Sequence, residues 1–226
     1  MRKYKSLFID LDDTLLDYSG DEIKAVKATF EENGLDYSDD IQKLYNEIEV
    51  WHSFEMGQEI GAKTIVTNKF KQLLKLLEFE SDEIFDLSDY FYNLMLKSHK
   101  VKNGAIKVLK DLKEKGYNIY LTTNGFPDFQ YNRIRASRLS KYFDGIFISE
   151  EIDLRKPSRG FFEYVIKHIP ESNLSRILVI GDAPSADIFG GINSKLDTCW
   201  LNEKNYSCKY KPTYTIKSII ELLDIL

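Results

Sequence analysis

Leu7-Phe8-Ile9-Asp10-Leu11-Asp12-Asp13-Thr14-Leu15 is a short apolar run that ends abruptly in three carboxylates. In a strand, alternate residues face the same side, so Asp10 and Asp12 leave its end pointing into one space, with Thr14 close behind. Two carboxylates this close ionise together only at a cost unless a cation lies between them. A hard, oxygen-seeking ion such as Mg²⁺ suits the pair. The same residue types also build an acidic turn or a helix N-cap, where Asp and Thr side chains satisfy local backbone groups. Later segments of the chain decide between the two.

A chain of 226 residues is long enough for one good-sized core, or for a core plus a small inserted domain. Its formal net charge of -5 comes from well-mixed charges. Without a basic block or an aromatic-plus-basic stripe, a nucleic-acid polymer is not an expected partner. No apolar run approaches the roughly 20 residues that span a bilayer, and Met1-Arg2-Lys3-Tyr4-Lys5 leads straight into a strand rather than a signal-peptide core. A cytoplasmic protein with no membrane partner is expected. Cys199 and Cys208 lack metal-ligand spacing and read as ordinary reduced thiols.

From about Asp21 to Lys100 the pattern is helical, with apolar residues recurring at three and four: Ile23, Val26, Ala28 and Phe30, then Ile65, Val66, Phe70, Leu73, Leu74 and Leu77. After Gly104 the texture changes. A helix through Ile106, Leu109 and Leu112 stops at Gly116, and Tyr117 to Leu121 form a strand ending at Thr122-Thr123-Asn124-Gly125. Further strands are expected at Ile146 to Ser149, Ile177 to Ile180 and Thr198 to Leu201, separated by helices such as Phe161 to His168. Alternation of this kind implies an α/β fold, a Rossmann-like parallel sheet with helices on both faces. The first strand has no other partner than that sheet, so the helical block reads as an insertion after strand one. Residues 1–16 and 101–226 form the expected core and residues 17–100 an all-helical inserted domain. Ile216, Ile219, Ile220, Leu222, Leu223 and Leu226 read as an amphipathic closing helix.

Ligands of open α/β sheets bind at the carboxyl ends of the strands, and the polar clusters stand at such ends. Strand one delivers Asp10 and Asp12, the next Thr123 and Asn124. Ile177-Leu178-Val179-Ile180 runs into Gly181-Asp182-Ala183-Pro184-Ser185-Ala186-Asp187, and Arg155-Lys156-Pro157-Ser158 precedes a helix. In this order the segments resemble the haloacid dehalogenase-like hydrolase superfamily. Its pattern is an Asp-x-Asp-x-Thr strand end, a Thr or Ser after a later strand, a Lys, and a Gly-Asp followed by another acid. The matching residues are Asp10, Asp12 and Thr14, then Thr123, then Lys156, then Gly181, Asp182 and Asp187. The helical insertion between the first two motifs resembles the cap of the family's phosphatase-like branches.

The chemistry of these residues agrees with what the resemblance implies. Cleaving a phosphate monoester demands charge neutralisation, a nucleophile and a proton donor. By resemblance Asp10 is the nucleophile that forms an aspartyl-phosphate, and Asp12 protonates the leaving alcohol and later deprotonates the attacking water. Mg²⁺, or Mn²⁺ with the same oxygen ligands, would be held by Asp10, the Asp12 backbone carbonyl and Asp182, with Asp187 helping directly or through water. Thr123, Asn124 and Lys156 would bind the phosphoryl group with Asp10, and Thr123 and Lys156 would stabilise its charge. Asp13 reads as a turn residue. An acid at position 12 disfavours dehalogenation, which releases halide and needs no proton donor.

Finer similarity, through Thr123-Asn124-Gly125-Phe126, Gln130, Tyr142-Phe143-Asp144, Ser149-Glu150-Glu151, Lys156-Pro157 and Asp197 to Asn202, points to the branch containing pyrimidine 5′-nucleotidases. A nucleoside 5′-monophosphate such as UMP, dUMP or dTMP is then the expected small-molecule substrate. Two departures stand against this: Asp153-Leu154-Arg155, where relatives carry a Gly, and Asn193-Ser194-Lys195 in place of a small Ala/Gly pattern. A sugar-phosphate phosphatase or a phosphomutase shares the same core motifs, and a non-catalytic binding module is the alternative from another class. Trp51, His52, Phe54, Glu55 and Met56, next to Gly57, are candidate substrate-selecting residues or, at the same spacing, helix core. The scattered His52, His99 and His168 suggest no shared metal site. A monomer and a homodimer both remain compatible with the sequence.

Overall fold

The computed structural model describes residues 3–48 and 62–226. In chain order these form β1 (Ser6–Ile9), α1 (Tyr18–Glu32), α2 (Asp39–Glu47), α3 (Ala62–Leu76), α4 (Ser81–Lys97), α5 (Ala105–Glu114), β2 (Asn118–Thr123), α6 (Pro127–Ala136) and β3 (Gly145–Ile148). They continue through α7 (Ser149–Ile152), α8 (Arg159–Lys167), β4 (Ile177–Gly181), α9 (Phe189–Asn193), β5 (Asp197–Leu201), β6 (Tyr214–Ile216) and α10 (Leu222–Ile225). The chain divides into two compact units, one running to Asp17 and resuming at His99, the other Tyr18–Ser98.

The first unit is built on a six-stranded sheet of order β3-β2-β1-β4-β5-β6, parallel throughout. Alternation along each strand feeds two cores. Leu7 and Ile9 of β1, Ile119 and Leu121 of β2, and Leu178 and Ile180 of β4 pack on one face with Val108, Leu109 and Leu112 of α5 and Ile134 of α6. Phe8, Tyr120, Ile177 and Val179 pack on the other with Phe161, Phe162 and Val165 of α8. Strands apolar on both sides are what a parallel sheet covered by helices requires. The strand order reverses between β1 and β4, where a crevice opens at the carboxyl ends. Register sets those ends level, Ile9 facing Leu121 on one side and Ile180 on the other.

Two strand expectations change. β2 continues through Thr122 and Thr123, which pair with Phe147 and Ile148, because β-branched residues suit the pleat. The expected closing helix is absent as such: Ile216 ends β6, which pairs with β5, and a 3₁₀ turn at Ile219–Glu221 and the single turn α10 follow. Tyr214-Thr215-Ile216 is aromatic and β-branched, and the ladder of β5 gives it hydrogen-bond partners that override the helical spacing downstream. Both cysteines are free thiols.

The chain leaves and re-enters this unit through paired segments. Leu16 bridges Val101 antiparallel, Asp17 N–H donates to Lys100 O at 2.8 Å and Lys102 N–H to Leu15 O at 2.9 Å. The second unit is helical among its described residues. Its core is aromatic: Phe70 of α3 stacks on Phe91 of α4 with centroids 4.6 Å apart, and meets Phe30 of α1 edge-on at 6.2 Å. Phe70 is fully buried, and truncating such a residue costs about 3–5 kcal/mol. Phe70→Ala is therefore expected to speed amide hydrogen exchange across α1, α3 and α4 by more than 100-fold while leaving the protection of β1 and β4 in place. Faster exchange in both units would show that they unfold together.

Candidate active site

Asp10 follows the last residue of β1, and its N–H still donates to Ile180 O at 2.9 Å, which fixes its backbone between β1 and β4. The chain then turns at Asp13, a left-handed residue (φ 57°) whose carbonyl accepts from Lys102 Nζ at 2.9 Å. Asp is among the few side chains that tolerate this conformation. The turn brings the buried Thr14 back beneath the β4 loop. Its Oγ1 accepts from Asp182 N–H at 3.1 Å and donates to Asp182 Oδ1 at 3.2 Å. Trp200 Nε1 holds the Asp182 carbonyl at 2.9 Å from the β5 side.

Lys156 enters from the loop after α7 and is 3% exposed. Its three protons find three acceptors: Asp10 Oδ1 at 2.7 Å, Asp187 Oδ1 at 2.6 Å and Thr122 O at 2.9 Å. The Asn124 side chain clamps the backbone of Lys156, donating to its carbonyl and accepting from its N–H, both at 2.9 Å. The Asn124 amide thereby seats the lysine. Asp187 also accepts from Ala183 N–H at 3.2 Å. It reaches the end of β4 because residue 181 is glycine: a Cβ there would lie 2.1 Å from Asp187 Oδ2.

Asp10, Asp182 and Asp187 each offer a carboxylate oxygen, and these atoms lie within 4.8 Å of one another. One ammonium serves this group, and the electrostatics reflect it. Burial raises Asp10 well above the ordinary carboxyl range; Lys156 opposes the shift, and Asp187, Asp182 and Asp12 add to it. Burial, then Asp187 and Asp13, push Asp182 up to about 7. For Lys156, burial works against the charge, but Asp10 and Asp187 outweigh it and hold the ammonium above the usual lysine range. Hard oxygen donors that bind protons this tightly are matched to a divalent cation, which replaces those protons with charge. The donor set fits Mg²⁺.

The Asp12 side chain stands apart from that cluster. It turns to α6, where Gln130 Nε2 donates to Oδ2 at 2.9 Å and Arg133 Nη1 lies 2.5 Å from Oδ1. Gln130 Nε2 also donates to Thr123 Oγ1 at 2.8 Å, so Thr123 and Asp12 share one neighbour. Arg133 went unnoticed in the sequence. The available signal was polar residues at i and i+3 on a helix face that also carries Phe129 and Ile134. Trp51, His52, Phe54, Glu55, Met56 and Gly57 lie outside the described residues. His168 Nδ1 lies 2.8 Å from Tyr164 O and its ring stacks on Tyr164; neither it nor His99 joins a metal-ligand cluster among the described residues.

Comparison with known proteins follows the same lines. The family model for haloacid dehalogenase-like hydrolases matches residues 4–194. The HAD-hydrolase YfnB of Bacillus subtilis is 34% identical over 230 aligned positions covering 100% of this chain and 97% of that protein. Its magnesium-bound crystal structure superposes with a TM-score of 0.87, covering 100% of this chain and 99% of the other. The pyrimidine 5′-nucleotidase PynA of Streptococcus pneumoniae is 32% identical, covering 99% of this chain and 95% of that protein. A glyceraldehyde 3-phosphate phosphatase of Pyrococcus furiosus is 29% identical over 100% of this chain and 94% of its own length. With its four polar segments brought together at one end of a parallel α/β sheet and this match over most of its length, the chain belongs to the haloacid dehalogenase-like hydrolase family.

Proposed function

We propose that the chain is a Mg²⁺-dependent phosphomonoester hydrolase working through an aspartyl-phosphate on Asp10, with pyrimidine nucleoside 5′-monophosphates as its substrate class. The observation that carries this reading is the division of labour between two carboxylates two residues apart. Asp10 lies in the buried cluster beside Lys156, and Asp12 is held separately by α6. A nucleophile and a proton carrier need this separation, because one must bond to phosphorus while the other meets the leaving oxygen.

The Asp10 carboxylate attacks phosphorus as the ester P–O bond breaks, and the departing alkoxide takes a proton from Asp12. A water molecule then gives its proton to Asp12 and attacks the aspartyl-phosphate, releasing inorganic phosphate and restoring both carboxyl groups. Lys156, charged in this environment, and the Thr123 hydroxyl stabilise the phosphoryl oxygens. Asp10, Asp182 and Asp187, with the Asp12 backbone carbonyl, would hold Mg²⁺, which when bound supplies the positive charge that a phosphate dianion needs beside a nucleophilic carboxylate. Substrate choice is assigned to the helical unit as a cap. No helix among the described residues is long and apolar enough to cross a membrane. The nucleotide assignment draws on the similarity to PynA, and the likeness to a triose-phosphate phosphatase makes sugar phosphates the second reading.

Phosphate release from a panel of nucleoside monophosphates, sugar phosphates and small organic phosphates, with Mg²⁺ and with EDTA, tests the proposal. UMP, dUMP or dTMP is expected to lead, with loss of activity in EDTA. A preference for a sugar phosphate would keep the mechanism and discard the nucleotide, and release unaffected by EDTA would overturn the metal. Asp10→Asn is expected to lower turnover by at least about 1,000-fold; near-normal activity would refute the nucleophile.

Metal should also govern stability. Asp10 and Asp182 hold protons more tightly folded than unfolded, so through these two groups the metal-free fold gains an advantage that is complete below the ordinary carboxyl pKa. It loses that advantage as pH rises toward the folded value of about 7 for Asp182. Bound Mg²⁺ replaces those protons. The rise in melting temperature on adding Mg²⁺ is therefore expected to be larger at about pH 8 than at about pH 5, and an equal rise at both would contradict it.

A further inference from the structure

Behind the reacting carboxylates, α6 supplies a second polar layer that the four motif segments do not include. Phe129, Gln130, Arg133 and Ile134 form its buried face, and Arg133 is the largest fully buried side chain among the described residues. Arginine is almost never fully buried unless it is paired, and taking such an ion out of water costs several kcal/mol. Here the partners are Asp12 Oδ1, 2.5 Å from Nη1, and Gln130 Oε1, which accepts from Nη1 at 3.0 Å.

The chemistry of the donors gives this chain a direction. Guanidinium groups only donate, so the Gln130 carbonyl must face Arg133, and the amide nitrogen is thereby aimed the other way. Its two protons go to Asp12 Oδ2 at 2.9 Å and Thr123 Oγ1 at 2.8 Å. Asp12 Oδ2 thus accepts from Gln130 while Oδ1 forms the ion pair with Arg133, and each oxygen keeps a lone pair for the proton that the reaction passes. Space is reserved for this arrangement: a Cβ on residue 125 would lie 2.8 Å from Gln130 Nε2 and 2.9 Å from its Cγ, so Gly125 leaves the room that Gln130 occupies.

We propose that Arg133 and Gln130 are positioning residues that hold the Asp12 carboxylate in the orientation from which it meets the leaving oxygen and, later, the attacking water. The inference rests on the hydrolase reading above. Neither residue gains or loses a proton; Arg133 fixes the amide of Gln130, and the two together fix Asp12. The alternative is that the buried pair serves only folding, which leaves the two half-reactions equally affected when it is removed.

The test uses the full chain with Mg²⁺, p-nitrophenyl phosphate as an ester with a good leaving group, and the alkyl phosphate turned over fastest in the panel. Arg133→Met and Gln130→Met are compared with the parent after thermal melting has established that they fold; if Arg133→Met does not, Gln130→Met carries the test. The value of kcat/KM reports the steps through loss of the alcohol. It is expected to fall about 10–100-fold further for the alkyl ester than for the aryl ester, since misplacing a general acid matters most for a poor leaving group. With the aryl ester, a burst of nitrophenol followed by slow turnover is expected, as the aspartyl-phosphate waits for a poorly placed base. Equal losses on both esters without a burst, or no loss, would overturn the positioning role while leaving the hydrolase intact. If the parent protein releases phosphate from no ester, the hydrolase reading fails and this inference falls with it.

Discussion

One buried ammonium organises the carboxyl ends of the strands. Lys156 bonds at once to Asp10, Asp187 and the carbonyl of Thr122, and so ties the end of β1, the end of β2 and the loop after β4 to a single point. Leaving a buried charge unpaired costs about 3–5 kcal/mol, so each partner depends on the others. Much of the local architecture serves this arrangement. Asn124 clamps the lysine backbone from the β2 loop, Gly181 clears space for Asp187, and Thr14 links the β1 and β4 loops through Asp182.

The strands explain why so much converges there. A parallel sheet delivers all its carboxyl ends on one side, and the reversal of strand order opens a crevice where β1 and β4 lie adjacent. The register carries Asp10 to the same level as the residues after Leu121 and Ile180. Side chains on short, strongly paired strands inherit the sheet's rigidity. Carboxylates far apart in sequence are therefore held close together despite their mutual repulsion.

The motif residues were legible in the sequence because each follows an apolar run, so that a local pattern locates both the strand and the polar residues at its end. The parallel sheet could be read for the same reason, from the alternation of strand and helix. Other features depend on tertiary neighbours. Asn124 follows Thr123 directly, yet nothing in the local pattern records that the Lys156 backbone, 32 residues on, offers its amide both a donor and an acceptor. Ile216, Ile219 and Ile220 have helical spacing, yet β5 presents an unpaired edge that draws Tyr214–Ile216 into the sheet. Periodicity records where apolar groups fall; it does not record which backbone groups lack partners.

Arg133 is the strongest case of information that resides only in the fold. In sequence it is one basic residue in a polar helix, where an exposed position would be the ordinary expectation. In the structure it is wholly buried, and a guanidinium that can only donate determines which way the neighbouring amide points. That amide spans Asp12 and Thr123, joining the first motif to the second through a helix that belongs to neither. A single nitrogen, Nη1, meets both the Asp12 carboxylate and the Gln130 amide oxygen, so the direction of this one donor group orients both neighbours. The supporting layer of the site is thus set by donor direction as much as by charge.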